Sequence, residues 1–200
     1  MREPYKKGEA LVKRCMVLLC FFSVVMLLTA CSSKPSIELV KTSVDVINDQ
    51  EIVGAQRITE GDKKGQDLVP TALYYEFTLK NTGKKKIGDT GDTGLEIQIN
   101  PHDPLVASSK EIIGFNVFNP SEYDESGLGY GQTFVSILEP GQEGLYTLHY
   151  ELGVSEEDPP FPFLVPPKEQ LEKLKNVAKD ATLLILLDGE ELARFDLQDL

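Results

Sequence analysis

Two aspartates in a glycine-rich stretch are the residues best suited to bind a metal ion. Asp89 and Asp92 lie in GDTGDTG, residues 88–94. Carboxylates are hard oxygen ligands, and the glycines would let backbone carbonyls turn toward a shared centre. Since calcium takes about six to eight oxygen ligands, this loop is a candidate calcium site. The spacing differs from that of an EF-hand, and a solvated hairpin turn is the alternative interpretation of the same residues.

The sequence offers little for catalysis. Its two histidines are His102, in NPHDP, and His149, on an expected strand. They would bind a metal only if the fold brought them together, for example with Asp103. The chain has no H-E-x-x-H motif, no G-x-S-x-G motif and no glycine-rich phosphate loop. We therefore expect a protein that is not an enzyme.

The three cysteines all lie near the N-terminus, at Cys15, Cys20 and Cys31. A basic segment (1–14) precedes a run of 16 mainly apolar residues (15–30), and the chain becomes polar from Cys31 onward. This three-part pattern predicts a secretory signal peptide. As a helix, the apolar run would reach about 24 Å at ~1.5 Å per residue, which is short of the ~30 Å hydrocarbon core that a permanent transmembrane helix must cross.

The residues at the end of the predicted signal peptide indicate that Cys31 is lipidated. Leu28-Thr29-Ala30-Cys31 resembles the lipobox of bacterial lipoproteins. The resemblance implies that residues 1–30 are removed and that the Cys31 thiol carries a diacylglyceryl group with palmitate-like chains. Two acyl chains give a stable anchor, whereas one chain binds only marginally. We therefore expect a protein held at the outer face of the cell membrane, with residues 31–36 as a short tether.

Charge indicates which partners the exported part would attract. The full chain has a net charge of −12. Without residues 1–30, which hold five basic and two acidic residues, 15 basic and 30 acidic residues remain, a net charge of −15. Such a domain is repelled by nucleic acid and by anionic lipid head groups. We expect a cationic ligand or a membrane-proximal protein as the partner, and no nucleic acid.

Most of the remaining chain alternates between apolar and polar residues, which is typical of half-buried β-strands. The clearest case is residues 71–83, where Leu73, Tyr75 and Phe77 would share one face. We expect strands at 37–48, 71–83, 95–100, 111–118, 132–138 and 145–152, and a closing hairpin at 182–197. That hairpin would turn at Asp188-Gly189, a dipeptide that type I′ turns prefer.

One helix is predicted near 168–178. Pro166-Pro167 suits a first helical turn, and Leu171, Leu174 and Val177 recur at helical spacing. Many short strands with one helix predict an all-β fold, an antiparallel β-sandwich over residues 37–200.

Two segments of the expected sheets carry a further resemblance. YYEFTLKNTGKKKIG (74–88) and LEPGQEGLYTLHYEL (138–152) are similar to segments of the immunoglobulin-like domains found in Gram-positive lipoproteins. The resemblance implies that a strand ending in Asn-x-Gly and a later Pro-Gly turn belong to one immunoglobulin-like sandwich. The cysteine pair and tryptophan of antibody domains are absent.

Two loops are candidates for binding. Tyr123 and Tyr130 lie in NPSEYDESGLGYGQ (119–132), and tyrosines among flexible glycines suit recognition. The alternative is simply a long sandwich loop. Phe161 and Phe163 lie in DPPFPFLVPP (158–167), which would form an apolar docking strip or pack its aromatic rings onto the sandwich.

These patterns together predict a lipid-anchored, non-enzymatic binding or accessory domain at the outer face of the membrane. One alternative is a solute-binding lipoprotein of a transporter, which normally needs two lobes with alternating strands and helices. The others are a calcium-binding surface module and a hydrolase whose catalytic residues are not evident in the sequence.

Overall fold

The computed structural model describes residues 35–58, 60–89, 95–155 and 163–199. Its elements in chain order are β1 (Ile37–Ile47), α1 (Gln50–Val53), β2 (Gln56–Arg57), β3 (Asp67–Leu68), β4 (Thr71–Asn81), β5 (Leu95–Pro101), α2 (Asp103–Ile113), α3 (Pro120–Ser126), β6 (Tyr130–Thr133), β7 (Glu143–Gly153), α4 (Lys168–Val177), β8 (Ala181–Leu187), β9 (Glu190–Asp196) and a 3-10 turn at Leu197–Asp199.

The strands form antiparallel sheets, as their alternation predicts. One sheet has the order β1-β4-β7-β6 and another the order β5-β8-β9, while β2 and β3 form a small separate hairpin. In the four-stranded sheet Tyr75 pairs with Leu148, and Tyr130 pairs with Tyr150. The described chain is therefore mainly antiparallel β-structure.

The closing hairpin is confirmed. β8 and β9 pair across a turn at Asp188-Gly189. Both residues have a positive φ, 54° and 77° respectively. A type I′ turn needs this backbone at both central positions, and Asp-Gly supplies it at low cost.

The core lies within one compact unit, Pro35–Leu200. Both larger sheets, α2 and α4 contribute to a single buried hydrophobic cluster. Fully buried side chains include Tyr75 and Phe77 of β4, Tyr146 of β7, Leu105 of α2 and Leu174 of α4. The β2–β3 hairpin has a separate small cluster made by Ile58, Leu68 and Val154.

The prediction of one helix is right in position and wrong in number. α4 matches the predicted range, but the described chain also has α1, α2 and α3. α2 takes up part of 111–118, which was predicted as a strand. Pro104 stands in its first turn, and Gly114, with a φ of 99°, ends it in the left-handed conformation. Within the described ranges, every helix is too short or too polar to span a bilayer.

The strand predicted at 132–138 is only partly right. β6 ends at Thr133, and further along only Leu138 makes an isolated bridge, with Ile87. The apolar residues between them do not continue the ladder.

Asn81 explains why Asn-x-Gly and Pro-Gly occur together. It is fully buried, and its Nδ2 donates to the carbonyls of Lys85 and Leu138, each at 2.8 Å. Its Oδ1 accepts from the Gly83 N–H at 2.9 Å, and its own carbonyl accepts from Gly141 at 2.7 Å. One asparagine thus fastens the end of β4 to the turn that precedes β7.

Candidate binding cleft

A cleft of about 330 Å³ lies where the edge strands β5 and β6 approach α3. The segment between β5 and β6 crosses from one sheet to the other and carries α3, which explains how the helix reaches this place. The residues that line the cleft are Glu96, Ile97, Gln98, Ile99, Val117, Phe118, Pro120, Tyr123, Asp124, Tyr130, Gln132, Leu148, Tyr150 and Leu186. We refer to this space as the aromatic cleft.

Strand pairing sets the wall made by the first sheet. Tyr130 and Gln132 of β6 lie opposite Tyr150 and Leu148 of β7. Paired residues point to the same side of a sheet, and successive residues along a strand point to opposite sides. All four side chains therefore face the cleft, while Thr133 faces the other way.

Four aromatic rings pack edge to face along this wall. The ring centroids of Phe118 and Tyr150 are 4.9 Å apart, and those of Tyr123 and Tyr150 are 6.0 Å apart. Tyr130 packs on Tyr123 at 6.1 Å, with the two planes at 71°. Such angles and distances are the favoured arrangement for aromatic pairs. Tyr150 also contacts the core ring of Tyr75 at 6.5 Å, so the wall is anchored in the interior.

α3 places Tyr123 and Asp124 at the cleft, and its start is well capped. The Asn119 Oδ1 accepts from the Ser121 N–H at 3.2 Å, and Pro120 fills the first helical position. The Asn119 Nδ2 also donates to Glu122 Oε1 at 2.8 Å. An asparagine cap, a proline at the first turn and Glu122 three residues after the cap form a helix-start pattern.

Hydrogen bonds from buried side chains fix the backbone just before Tyr130. The Tyr123 hydroxyl donates to the carbonyls of Gly129 and Glu151. The buried Glu151 carboxylate accepts from the Gly129 N–H at 2.6 Å. A Cβ at Gly129 would come within 2.9 Å of Glu151 Oε1, so a larger residue there would displace the carboxylate from its present position.

Burial sets the protonation of these groups. It raises the pKa of Tyr123 and of Tyr150 far above the ordinary phenol value, so both stay neutral. Burial also raises the pKa of Glu151, and the hydrogen bond from Gly129 partly opposes that shift. The aromatic wall is therefore uncharged.

The charges at the cleft are acidic. Glu96 on β5 and Asp124 on α3 are exposed and line it, and the side-chain amides of Gln98 and Gln132 add hydrogen-bonding groups. Among the described residues that line the cleft there is no lysine, arginine or histidine. The cleft thus combines neutral rings with two carboxylates.

The structure brings together some of the residues singled out from the sequence. Tyr123 and Tyr130 both line the cleft, although Tyr123 lies on a helix rather than in a loop. Phe163 is half-buried and packs on Phe115, with ring centroids 5.4 Å apart, beside the main core. This contact fits the alternative in which the proline-rich segment packs its rings. Phe161 lies outside the described residues.

The predicted calcium site lies only partly within the described ranges. These ranges contain no group of three or more His, Cys, Asp or Glu side chains that could hold an ion. Asp92 lies outside them, and calcium at Asp89 and Asp92 stays a prediction. Gly88 has a separate reason for its identity, since its φ is +84° and a Cβ there would lie 2.0 Å from the Ser136 carbonyl oxygen.

The two histidines have ordinary surroundings. The His102 Nε2 is 3.0 Å from the Thr182 hydroxyl, just before α2. The His149 ring lies against Gly131, where a Cβ would come within 2.4 Å of Cε1. Burial lowers the pKa of His149, so the ring is neutral at physiological pH.

Sequence reasoning missed several residues of the cleft. Phe118 and Tyr150 fall within the predicted strands 111–118 and 145–152 but are not singled out as binding residues, and neither are Glu96 and Asp124. The helix-start pattern at Asn119 is the sequence feature that indicates part of the cleft, because it implies a helix that carries the consecutive residues Tyr123 and Asp124.

No protein-family model matches the chain, no curated protein matches it, and no solved structure matches it. What the cleft binds is therefore inferred from its own residues.

Proposed function

We propose that this chain is a lipid-anchored, non-enzymatic binding protein at the outer face of the cell membrane and that it holds its ligand in the aromatic cleft. The cleft is the observation that carries the proposal. It combines several large rings with a few polar groups in one concave space. This is the usual make-up of a ligand site, and its volume is at the small end of the ~300–1,000 Å³ typical of such sites.

The anchor is supported by the sequence. A basic segment, an apolar run and the lipobox-like Leu28-Thr29-Ala30-Cys31 follow one another in the order that export and lipidation require. A diacylglyceryl group on Cys31 would hold the domain at the membrane, and the acidic exported part would be repelled by anionic lipid head groups. Cys31 lies outside the described residues.

We further propose that the two larger sheets form an immunoglobulin-like sandwich. Constant-type immunoglobulin domains have sheets of order A-B-E-D and C-F-G. Without the short β2–β3 hairpin, the seven other described strands give the orders 1-2-5-4 and 3-6-7 in chain numbering. These are the same two orders, and the hydrophobic cluster common to both sheets also supports the proposal. The helices α2 and α3 would then be an insertion between the third and fourth strands.

A pair of neighbouring substitutions tests the binding proposal. Gln132→Trp would fill the mouth of the cleft, whereas Thr133→Trp places the same bulk on the opposite face of β6. The full-length parent and both variants are purified from their own membranes in nonionic detergent and measured by native mass spectrometry. We expect a bound small molecule on the parent and on Thr133→Trp that is lost from Gln132→Trp. If Gln132→Trp keeps everything that the parent binds, the cleft is not the binding site.

A further inference from the structure

We propose that the ligand of the aromatic cleft is an organic cation, with an ammonium or guanidinium group held against the rings and balanced by Glu96 and Asp124. This inference rests on the proposed function, because it names the chemistry of the ligand that the same cleft would bind. It depends on two features of the lining, the ring arrangement and the sign of the charges.

The rings provide the contact surface. A cation is attracted to the face of an aromatic ring when it lies within about 6 Å of the centroid. Phe118, Tyr123, Tyr130 and Tyr150 gather in one wall, with neighbouring planes at 66° to 84°. Tyr123 and Phe118 are only 2% and 8% exposed and support the wall from within. Tyr130 and the half-buried Tyr150 therefore present most of its ring surface to a ligand. Tyr130 is 60% exposed and stands at the opening.

The carboxylates provide the charge. Glu96 and Asp124 reach the cleft from different elements, one on β5 and one on α3. No basic side chain lines the described part of the cleft, so nothing there competes with a cation or recruits an anion. The buried tyrosines remain neutral phenols and add no negative charge of their own. The side-chain oxygens of Gln98 and Gln132 can accept hydrogen bonds from N–H groups of the ligand.

Other ligand classes fit less well. A phosphate or carboxylate ligand would meet two carboxylates and no cation. A bare metal ion would find only two carboxylates, and the described residues hold no group of three ligating side chains. A neutral apolar ligand would leave Glu96 and Asp124 without a role, and the experiment is designed to separate it from a cation.

The first measurement compares a cation with a neutral molecule of the same shape. Calorimetric titration of the full-length protein in nonionic detergent uses choline and its uncharged isostere 3,3-dimethylbutan-1-ol. We expect choline to bind about tenfold more tightly or better, and added salt to weaken it. Equal binding of the isostere overturns the inference, and so does an absence of choline binding up to about 10 mM. A further outcome is that the parent binds both probes with equal affinity and Gln132→Trp binds neither. The proposed binding function would then stand, and this inference would fail.

A second arm identifies the source of the cation. A short blocked peptide with one central lysine among glycines is titrated beside choline. Tighter binding of the peptide assigns the charge to a protein side chain, and tighter binding of choline assigns it to a free small molecule. Either result supports a cationic ligand. The control is the same peptide with norleucine in place of lysine, and if it binds as tightly as the lysine peptide, the ligand is not recognised by its charge.

Variants then assign the roles of rings and charges. Tyr130→Ala is expected to weaken choline about three- to tenfold, and Tyr130→Phe to stay within about twofold, because the ring and not the hydroxyl makes the contact. Glu96→Gln with Asp124→Asn should weaken binding to a similar extent and reduce its salt dependence. The matched control, Glu139→Gln with Glu190→Gln, removes the same charge from exposed sites outside the cleft. A control that weakens choline as much as the cleft pair would mean that only overall charge matters.

Discussion

At the scale of single residues, the aromatic cleft depends on a few buried polar contacts. Glu151 and Tyr123 hold the backbone at Gly129, and this fixes the start of β6 from which Tyr130 extends. Sequence reasoning selected Tyr123 and Tyr130 for their loop-like surroundings. It could not select Glu151, because a glutamate on an alternating strand is normally exposed, whereas Glu151 is buried and accepts from the Gly129 N–H.

The buried carboxyl gives a prediction about pH. Burial raises the pKa of Glu151 above its ordinary 4.5, so between the two pKa values the folded state binds more protons than the unfolded state. The free energy of unfolding should therefore fall as pH rises through that window. Glu151→Gln keeps an oxygen that can accept from Gly129 and removes the titration, so the variant should be more stable than the parent at neutral pH. Urea unfolding between about pH 4 and about pH 8 measures both trends, and parallel pH profiles for the two proteins would refute the account.

A second prediction concerns Asn81. Asn81→Ala removes the hydrogen bonds that a fully buried side chain makes to the Lys85 carbonyl, the Leu138 carbonyl and the Gly83 N–H. The Leu138 carbonyl keeps its bond from the Ile87 N–H. We expect a loss of about 2–4 kcal/mol in the free energy of unfolding. Asn48 is a matched control, because its Nδ2 also donates to two carbonyls, those of Val69 and Pro70, but at an exposed position. Asn48→Ala should cost only about 0.5–1 kcal/mol, and equal losses in urea unfolding would show that burial at Asn81 does not matter.

At the scale of elements, the sequence predicts strands better than helices. β1, β4, β5 and β7 follow from the alternation of apolar and polar residues, and the closing hairpin follows from its Asp188-Gly189 turn. α2 and α3 were missed because their signals are capping residues rather than long apolar stripes. Pro104, Gly114 and Asn119 mark their ends, but prolines and glycines in a β-rich chain are equally typical of turns.

The cap of α3 gives a prediction at this scale. Asn119→Ala removes the acceptor for the Ser121 N–H and the contact with Glu122. We expect a loss of about 1 kcal/mol of stability and faster amide exchange in residues 121–126. Because α3 presents Tyr123 and Asp124, choline affinity should fall as well. Asp49→Ala, which uncaps the short helix α1 outside the cleft, should leave choline binding unchanged. If both variants weaken choline alike, α3 does not position the cleft.

At the scale of the whole molecule, the mainly antiparallel fold was predictable and the cleft was not. Alternation tells which side of a strand is buried, but it does not tell which edge strands approach each other. The cleft needs β5 and β6, which belong to different sheets and are separated by two helices. β5 and β6 become neighbours only when the two sheets pack around one core.

The proposed anchor gives a prediction about the location of the molecule. Cys31 should carry the lipid, so cells fed a radioactive fatty acid should label the parent and leave Cys31→Ser unlabelled. The variant should also be released from the membrane fraction, since the two acyl chains provide the attachment. Cys20→Ser is the control and should be labelled and retained like the parent. Labelling of Cys31→Ser at the parent's level would contradict the proposal.

The measurement that tests the central claim most directly is light-activated crosslinking from β6 in intact cells. A diazirine-bearing residue is placed at Gln132, which lines the aromatic cleft, or at Thr133, which points to the opposite face of the same strand. After illumination, the mass of the full-length protein is measured. We predict that a defined adduct forms from position 132 and is absent or much weaker from position 133. Equal adducts from both positions, or an adduct from position 133 alone, would contradict the claim that this protein binds its ligand in the aromatic cleft.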